Sequence, residues 1–162
     1  MVTPPRISEA LFGLAEMPDF LERMSREIGV AKASVPGPGG SFSLVEHVWH
    51  LADLEREGFG ERIERLQREE RPFLPDFEGD RIARERDYPS RSLDEGLAAF
   101  RTARARNLEA LRGVADEAWD RSGVQEHVGP VALRDIPARV AEHDASHREE
   151  IRALVEHLRG GA

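Results

Sequence analysis

The chain contains no cysteine among its 162 residues. That absence excludes disulfides, thiolate metal sites, iron–sulfur clusters and a cysteine nucleophile. Lysine is nearly absent as well. Lys32 stands alone beside 22 arginines, a skew that GC-rich coding accounts for and that carries no functional reading. Aromatic residues are few, at 6 %. No apolar run approaches the ~18 residues of a membrane span. The opening MVTPPRISEA has neither a basic n-region nor an apolar h-region, so no secretory signal is expected and the expected location is cytoplasmic. A formal charge of −8 argues against nonspecific nucleic-acid binding, which needs a basic footprint. Gly37 to Gly40 precede a helix but lack the lysine-serine and the preceding strand of a phosphate-binding loop.

What remains is a charged, helix-prone chain. Charged residues make up 33 %, which suits long helices with solvated faces. The length fits one domain, 1–162, with a core of its own. Four helical segments are expected. In the first, from about Ser8 to Ile28, Ala10, Leu11, Leu14, Met17, Leu21, Met24 and Ile28 recur at helical spacing, and Pro18 should kink or split it. Val35 to Gly40 reads as a loop. The second helix opens on a capping box, Ser43-Leu44-Val45-Glu46, and should run to about Arg71-Pro72. Residues 72–89 show no clear period and read as a long connection, which suggests a lid or a crossover. A second capping box, Ser92-Leu93-Asp94-Glu95, opens the third helix, which runs to about Gly113. An irregular stretch follows around Trp119 and His127 to Val131, and the fourth helix covers roughly Leu133 to Leu158. No strand pair is convincing, there is no internal repeat, and the Gly160–Ala162 end should fray. The expected fold is all-α, a four-helix bundle, with an up-down-down-up order if the connection between helices 2 and 3 spans the bundle.

The chemistry-bearing residues are histidines on apolar faces. In the fourth helix Val140, Ile151, Leu154 and Leu158 share one face, and His143 and His147 fall within roughly 60° of it. A His-x-x-x-His pair one turn apart can converge on one metal ion. Each buried imidazole left unpaired would cost about 1–3 kcal/mol, so two on successive turns are harder to explain as plain core residues. The second helix offers His47 and His50 as a third ligand. Periodicity alone prefers His47, inside the apolar arc, over His50, just outside it.

These residues also carry a resemblance. S-x-x-E-x-x-x-H-L-A-D-x-E (Ser43 to Glu55) resembles the second helix of the DinB-like superfamily. Leu97 to Leu111 is similar to its third helix. W-x-x-x-G-V-(x)4-G-P-V-x-L-R-D (Trp119 to Asp135) is similar to the connection that follows, and His143 to Ile151 to its closing H-x-x-x-H helix. The resemblance implies a four-helix bundle with a divalent ion on three histidines, which map here to His50, His143 and His147, with His47 as the fallback. It also implies a homodimer. The position of His47 is usually aliphatic in the family, its frequent histidine-proline is Gln125-Glu126 here, and its glutamine after the last histidine is Glu150. Family members include thiol-dependent S-transferases and isomerases that use low-molecular-weight thiols, as well as metal-dependent hydrolases.

Three imidazoles leave coordination positions open, the arrangement of a catalytic site, where an ion would acidify a water or a thiol. All-histidine ligation suits zinc or nickel. Asp53 and Glu150 are candidates to orient a ligand imidazole or act as a base, and Glu46 is already explained as a capping residue. Arg104 and Asn107 lie on the apolar face of the third helix. Arg104 is either paired internally, with a carboxylate such as Glu55, or a clamp for an anionic thiol or substrate. His157 reads as a solvated last-turn residue. The expected activity is a metal-dependent thiol transferase acting on a small molecule, with a metal-dependent hydrolase as the runner-up. A non-catalytic interaction domain, or a structural ion closed by Asp53, are the readings from other classes.

Overall fold

The structure, a computed structural model, describes residues 5–160. The first helical segment is two helices, α1 (Pro5–Leu14) and α2 (Met17–Ile28). The break falls ahead of Pro18, which sits in the first turn of α2, where a missing N–H costs nothing. The second segment comprises α3 (Leu44–Asp53), a π-helical stretch (Leu54–Phe59) and α4 (Gly60–Arg68). Its capping box forms as expected: the Glu46 N–H donates to Ser43 Oγ at 3.3 Å and the Ser43 N–H to Glu46 Oε1 at 3.2 Å. The third and fourth segments are α6 (Leu93–Arg112) and α7 (Ile136–Gly160). Gly160 closes α7, and the remainder of the expected frayed end lies outside the described residues.

One expectation is filled in and one needs correction. The connection at 72–89 is ordered: it holds a short strand β1 (Phe73–Leu74), helix α5 (Gly79–Glu85) and a 3₁₀ turn (Tyr88–Ser90). Strands also exist. β2 (Ser122–Gln125) and β3 (Gly129–Ala132) form a hairpin, and β1 pairs parallel to β2, Phe73 opposite Val124. These strands are too short for alternation to register in the sequence. The hairpin turn needs left-handed backbone, which His127 (φ 63°) and Gly129 (φ 100°) supply. At Gly123 a Cβ would meet the Pro72 carbonyl oxygen at 2.5 Å, so only glycine lets β1 approach β2 there.

Contacts between the helices give their directions. Along α3 and α6, Trp49 meets Ser92, Glu55 meets Arg104, and Gly60 approaches Asn107, so the second and third segments run parallel. The first and fourth do too: Arg148 reaches Met17 and Arg159 reaches Glu27. Pairs between the second and fourth run in opposite order, His47 with Glu150 and Phe59 with His143. The order is therefore up-down-down-up, and the 72–89 crossover returns the chain to the start of α6. Among the described residues no helix is long and apolar enough to cross a membrane.

The core divides in two. One apolar cluster includes Phe20, Leu21, Leu44, Val48, Leu51, Phe100, Ile151, Leu154 and Leu158. The other includes Leu11, Leu14, Phe59, Ile63, Leu66, Leu108, Leu111, Ile136 and Val140. Between them, along α3, the π-helical stretch, α6 and α7, lie most of the buried polar residues: His47, Asp53, Glu55, Arg104, Asn107, Asp144 and His147. The polar layer crosses the bundle at mid-height, and the candidate site is part of it.

Candidate metal centre

Because α3 and α7 are antiparallel, their histidines meet side by side. His50, His143 and His147 each offer one ring nitrogen, and these atoms lie within 4.8 Å of one another. The ring centroids are 4.5 Å apart for His143 and His147, 5.1 Å for His50 and His147, and 5.6 Å for His50 and His143. Phe42, Phe59 and Phe77 close around the cluster, with centroids 5.5–6.1 Å from the nearest imidazoles. This apolar wall sets the electrostatics. Burial pushes His143 down to about 4, helped by His50, Arg104 and Arg62. It pushes His147 down to about 2, helped by the other three histidines of the cluster. Burial also lowers His50, against the opposing pull of Asp80 and Asp53. All three rings are neutral at pH 7, the protonation state that a metal ligand requires.

His50 Nδ1 is buried and has no hydrogen-bond partner. Burying such a nitrogen unpaired is costly, so the cluster is not a self-satisfied histidine core. A divalent ion fits this donor set: three neutral imidazoles each offer a nitrogen, His50 Nδ1 is buried without a partner, and phenylalanine rings pack against the cluster, with His50 and His143 half-buried and His147 buried. Crossover residues help to enclose it. A Cβ at Gly79 would lie 2.7 Å from His50 Cε1 and 3.0 Å from its Nδ1, so the start of α5 can lie over the imidazole only because residue 79 is glycine.

His47 and His50 divide the roles that periodicity and resemblance gave them. His47 is the more buried, 2 % exposed, as the helical wheel indicates. Its Nδ1 lies 2.9 Å from His147 Nδ1, and its Nε2 lies 3.9 Å from Glu150 Oε2. His50 is the one grouped with His143 and His147, while His47, His147 and Glu150 form a second close group.

The other candidates are placed as follows. Asp53 does not reach an imidazole. Its fully buried carboxylate accepts from Tyr88 Oη at 2.6 Å, from Arg56 at 2.5 Å and from Arg86 at 2.7 Å. Burial raises this carboxyl, but those three donors outweigh it and hold it below its usual range. Asp53 thus pins the end of the crossover to α3. Arg104 is inside, 2 % exposed, and its guanidinium donates to Glu55 and Asp144 in two bidentate pairs and to the Leu14 carbonyl. This is internal pairing with Glu55, and the guanidinium is not free to clamp an anion. Asn107 donates to the Glu55 carbonyl at 2.8 Å and to its carboxylate at 3.1 Å. Asn107 also lines a polar cleft of about 510 Å³ with Gly60 and Arg106. Glu150 is mostly exposed. His157 lies exposed in the last turn of α7.

Among the residues of the site that were not singled out from the sequence are Gly79, Phe77 and Arg62. Gly79 has no sequence signal, because its role depends on what lies beneath it. Phe77 sits in a segment without a period. Arg62 could have been found, since it shares a helical face with Phe59, Ile63 and Leu66. It is only 7 % exposed, its Nε is buried without a partner, and its guanidinium carbon lies 5.6 Å from the centre of the Phe59 ring. The same ring touches His143.

Comparisons with known proteins agree with this architecture. A family model described as the DinB superfamily matches residues 14–151. Among solved structures, YfiT from Bacillus subtilis superposes with a TM-score of 0.84 at 18 % identity, covering 98 % of this chain and 89 % of that one. YfiT is described as a probable metal-dependent hydrolase with an unusual four-helix bundle topology. Among curated proteins none matches the chain.

Proposed function

The chain belongs to the DinB superfamily, and from that premise we propose that it is a metal-dependent enzyme with one divalent ion on His50, His143 and His147. The observation that carries this reading is the grouping of one ring nitrogen from each of three neutral imidazoles, in a cluster where His50 Nδ1 is also buried without a partner. Neutral nitrogen donors suit zinc or nickel. When bound, such an ion supplies Lewis acidity and lowers the pKa of a thiol or a water at an open position.

The protein's own residues do the rest. Phe42, Phe59 and Phe77 pack against the imidazoles and lower the polarity around them, which strengthens local electrostatics. Asp53 and Tyr88 hold the crossover against α3. With Arg104 committed internally, Arg62 is the buried guanidinium available to hold an anionic group of a thiol or substrate. The family resemblance favours transfer of a low-molecular-weight thiol to a small electrophile. The structural likeness to YfiT supports the second reading, hydrolysis.

Metal analysis of protein purified without chelator or affinity tag tests the centre: one zinc or nickel per chain is expected, and full occupancy in His143→Ala would overturn it. The reaction is tested by incubating metal-loaded protein with low-molecular-weight thiols and a generic electrophile. Consumption no faster than with His147→Ala rejects the transferase, and ester or amide hydrolysis under the same control selects the hydrolase.

A further inference from the structure

The four clustered histidines are not equivalent. His47 lies outside the three-nitrogen group but touches one member of it, and behind it stands a carboxylate. We propose that His47, backed by Glu150, is a positioning residue that fixes the tautomer of His147 and so turns the Nε2 lone pair of His147 toward His50 and His143. This rests on the metal centre proposed above.

The geometry leaves two arrangements. The 2.9 Å separation of His47 Nδ1 and His147 Nδ1 is a hydrogen-bond distance. With both rings neutral, a single proton lies between two nitrogens, and either ring can own it. If His47 owns it, the bare Nε2 lone pair of His47 faces the Glu150 carboxylate at 3.9 Å, which is repulsive. His147 would then carry its own proton on Nε2, which would rule that nitrogen out as a ligand. If His147 owns it, both conflicts disappear. The His147 Nδ1–H donates to His47 Nδ1, and the His47 Nε2–H is directed at the carboxylate. Nε2 of His147 is left as a lone pair.

At 3.9 Å the Glu150 contact is electrostatic rather than a hydrogen bond, and Glu150 is largely exposed. It biases the tautomer, while His47 makes the bond. Phe42 meets the His47 ring edge-on with centroids 5.5 Å apart, which limits its rotation. An imidazole ligand whose second nitrogen donates to a fixed acceptor is oriented and made more basic. Here the acceptor is another imidazole.

The test uses the full chain labelled with ¹⁵N. Long-range ¹H–¹⁵N NMR of the metal-free protein shows which nitrogen of each imidazole bears hydrogen. The expected result is the Nδ1–H tautomer for His147 and the Nε2–H tautomer for His47; Nε2–H on His147 overturns the proposal. Zinc affinity by competition with a chromophoric chelator gives the second readout. His47→Leu should weaken zinc roughly 10–100-fold at an unchanged one ion per chain. His47→Gln, whose Oε1 can accept the same N–H, should recover most of that loss, and Glu150→Gln should weaken zinc by less than His47→Leu. Unchanged affinity in His47→Leu, or equal losses in the Leu and Gln variants, overturns the proposal. So does a second zinc ion that disappears in Glu150→Gln, because His47 and Glu150 would then be ligands. If the wild type binds no zinc, the metal centre itself fails, while the NMR tautomers still decide the bond between His47 and His147.

Discussion

The polar layer that divides the core has two halves, built largely on the same helices. In one, Arg104, Glu55, Asp144 and Asn107 satisfy one another almost completely, with bonds of 2.8–3.1 Å. In the other, the histidine cluster leaves His50 Nδ1 unpaired, and Arg62 nearby leaves its Nε unpaired. A buried polar network that closes on itself can hold helices in register but has nothing left to offer a ligand. One that stays open is costly until something binds. Two buried arginines in one small bundle therefore differ in whether their hydrogen bonds are satisfied, which burial and charge alone do not reveal.

The largest effect should come from breaking the closed half. Arg104→Met would strand the Glu55 and Asp144 carboxylates and should cost about 3–5 kcal/mol in urea unfolding. Arg62→Met removes a buried cation that has no ion partner, and should be neutral or stabilising. Equal losses in the two variants would erase the contrast.

Filling the open half should stabilise it. Zinc at a hundredfold excess over Kd should add about 2.7 kcal/mol and raise Tm by roughly 5–10 °C. Differential scanning fluorimetry should show this shift in the wild type and not in His143→Ala.

Acid should act on the same half. In chelator-treated protein, His47 and His143 titrate near 4 when folded, against 6.5 when free. Between those values the unfolded chain binds more protons, so their contribution to stability is complete above pH 6.5 and is lost as the pH falls toward 4. The steepest slope should be at most about 1.4 kcal/mol per pH unit per histidine. Stability that rises on acidification through this window would mean that the rings are charged in the fold.

The smallest effect should come from Gly79→Ala, whose Cβ would press on His50. A shifted ring should weaken zinc by roughly tenfold, about 1.4 kcal/mol, with the helical circular dichroism unchanged. Unaltered affinity would show that the crossover does not shape the centre.

Much of this was legible in the sequence. The Ser43 capping box, the Ser92 N-cap (where the reciprocal Glu95 bond of the expected second box does not form), the apolar periodicity and the placement of Pro18 mark four helical segments, because helix ends and faces are decided by neighbours within one or two turns. The H-x-x-x-H spacing of His143 and His147 is likewise a property of a single helix. Choosing between His47 and His50 needed more than periodicity. The wheel ranks burial correctly, but which nitrogen meets which depends on the antiparallel approach of α7. The strands at 73–74, 122–125 and 129–132 left no trace, since two to four residues are too few to show a period.

By itself, then, the sequence determined the helices, the exclusion of cysteine chemistry, and a short set of histidines as candidate metal ligands. Only the tertiary structure decided that Arg104 is committed to Glu55 and Asp144, that Arg62 is left without a partner, that Asp53 ties down the crossover, and that His47 lies behind His147 rather than beside it. The physical reason is range. Capping and periodicity act over a few residues of one chain segment, whereas the pairing of buried charges and imidazoles depends on contacts between residues about 40 to 100 positions apart. Those contacts exist only once the helices have packed.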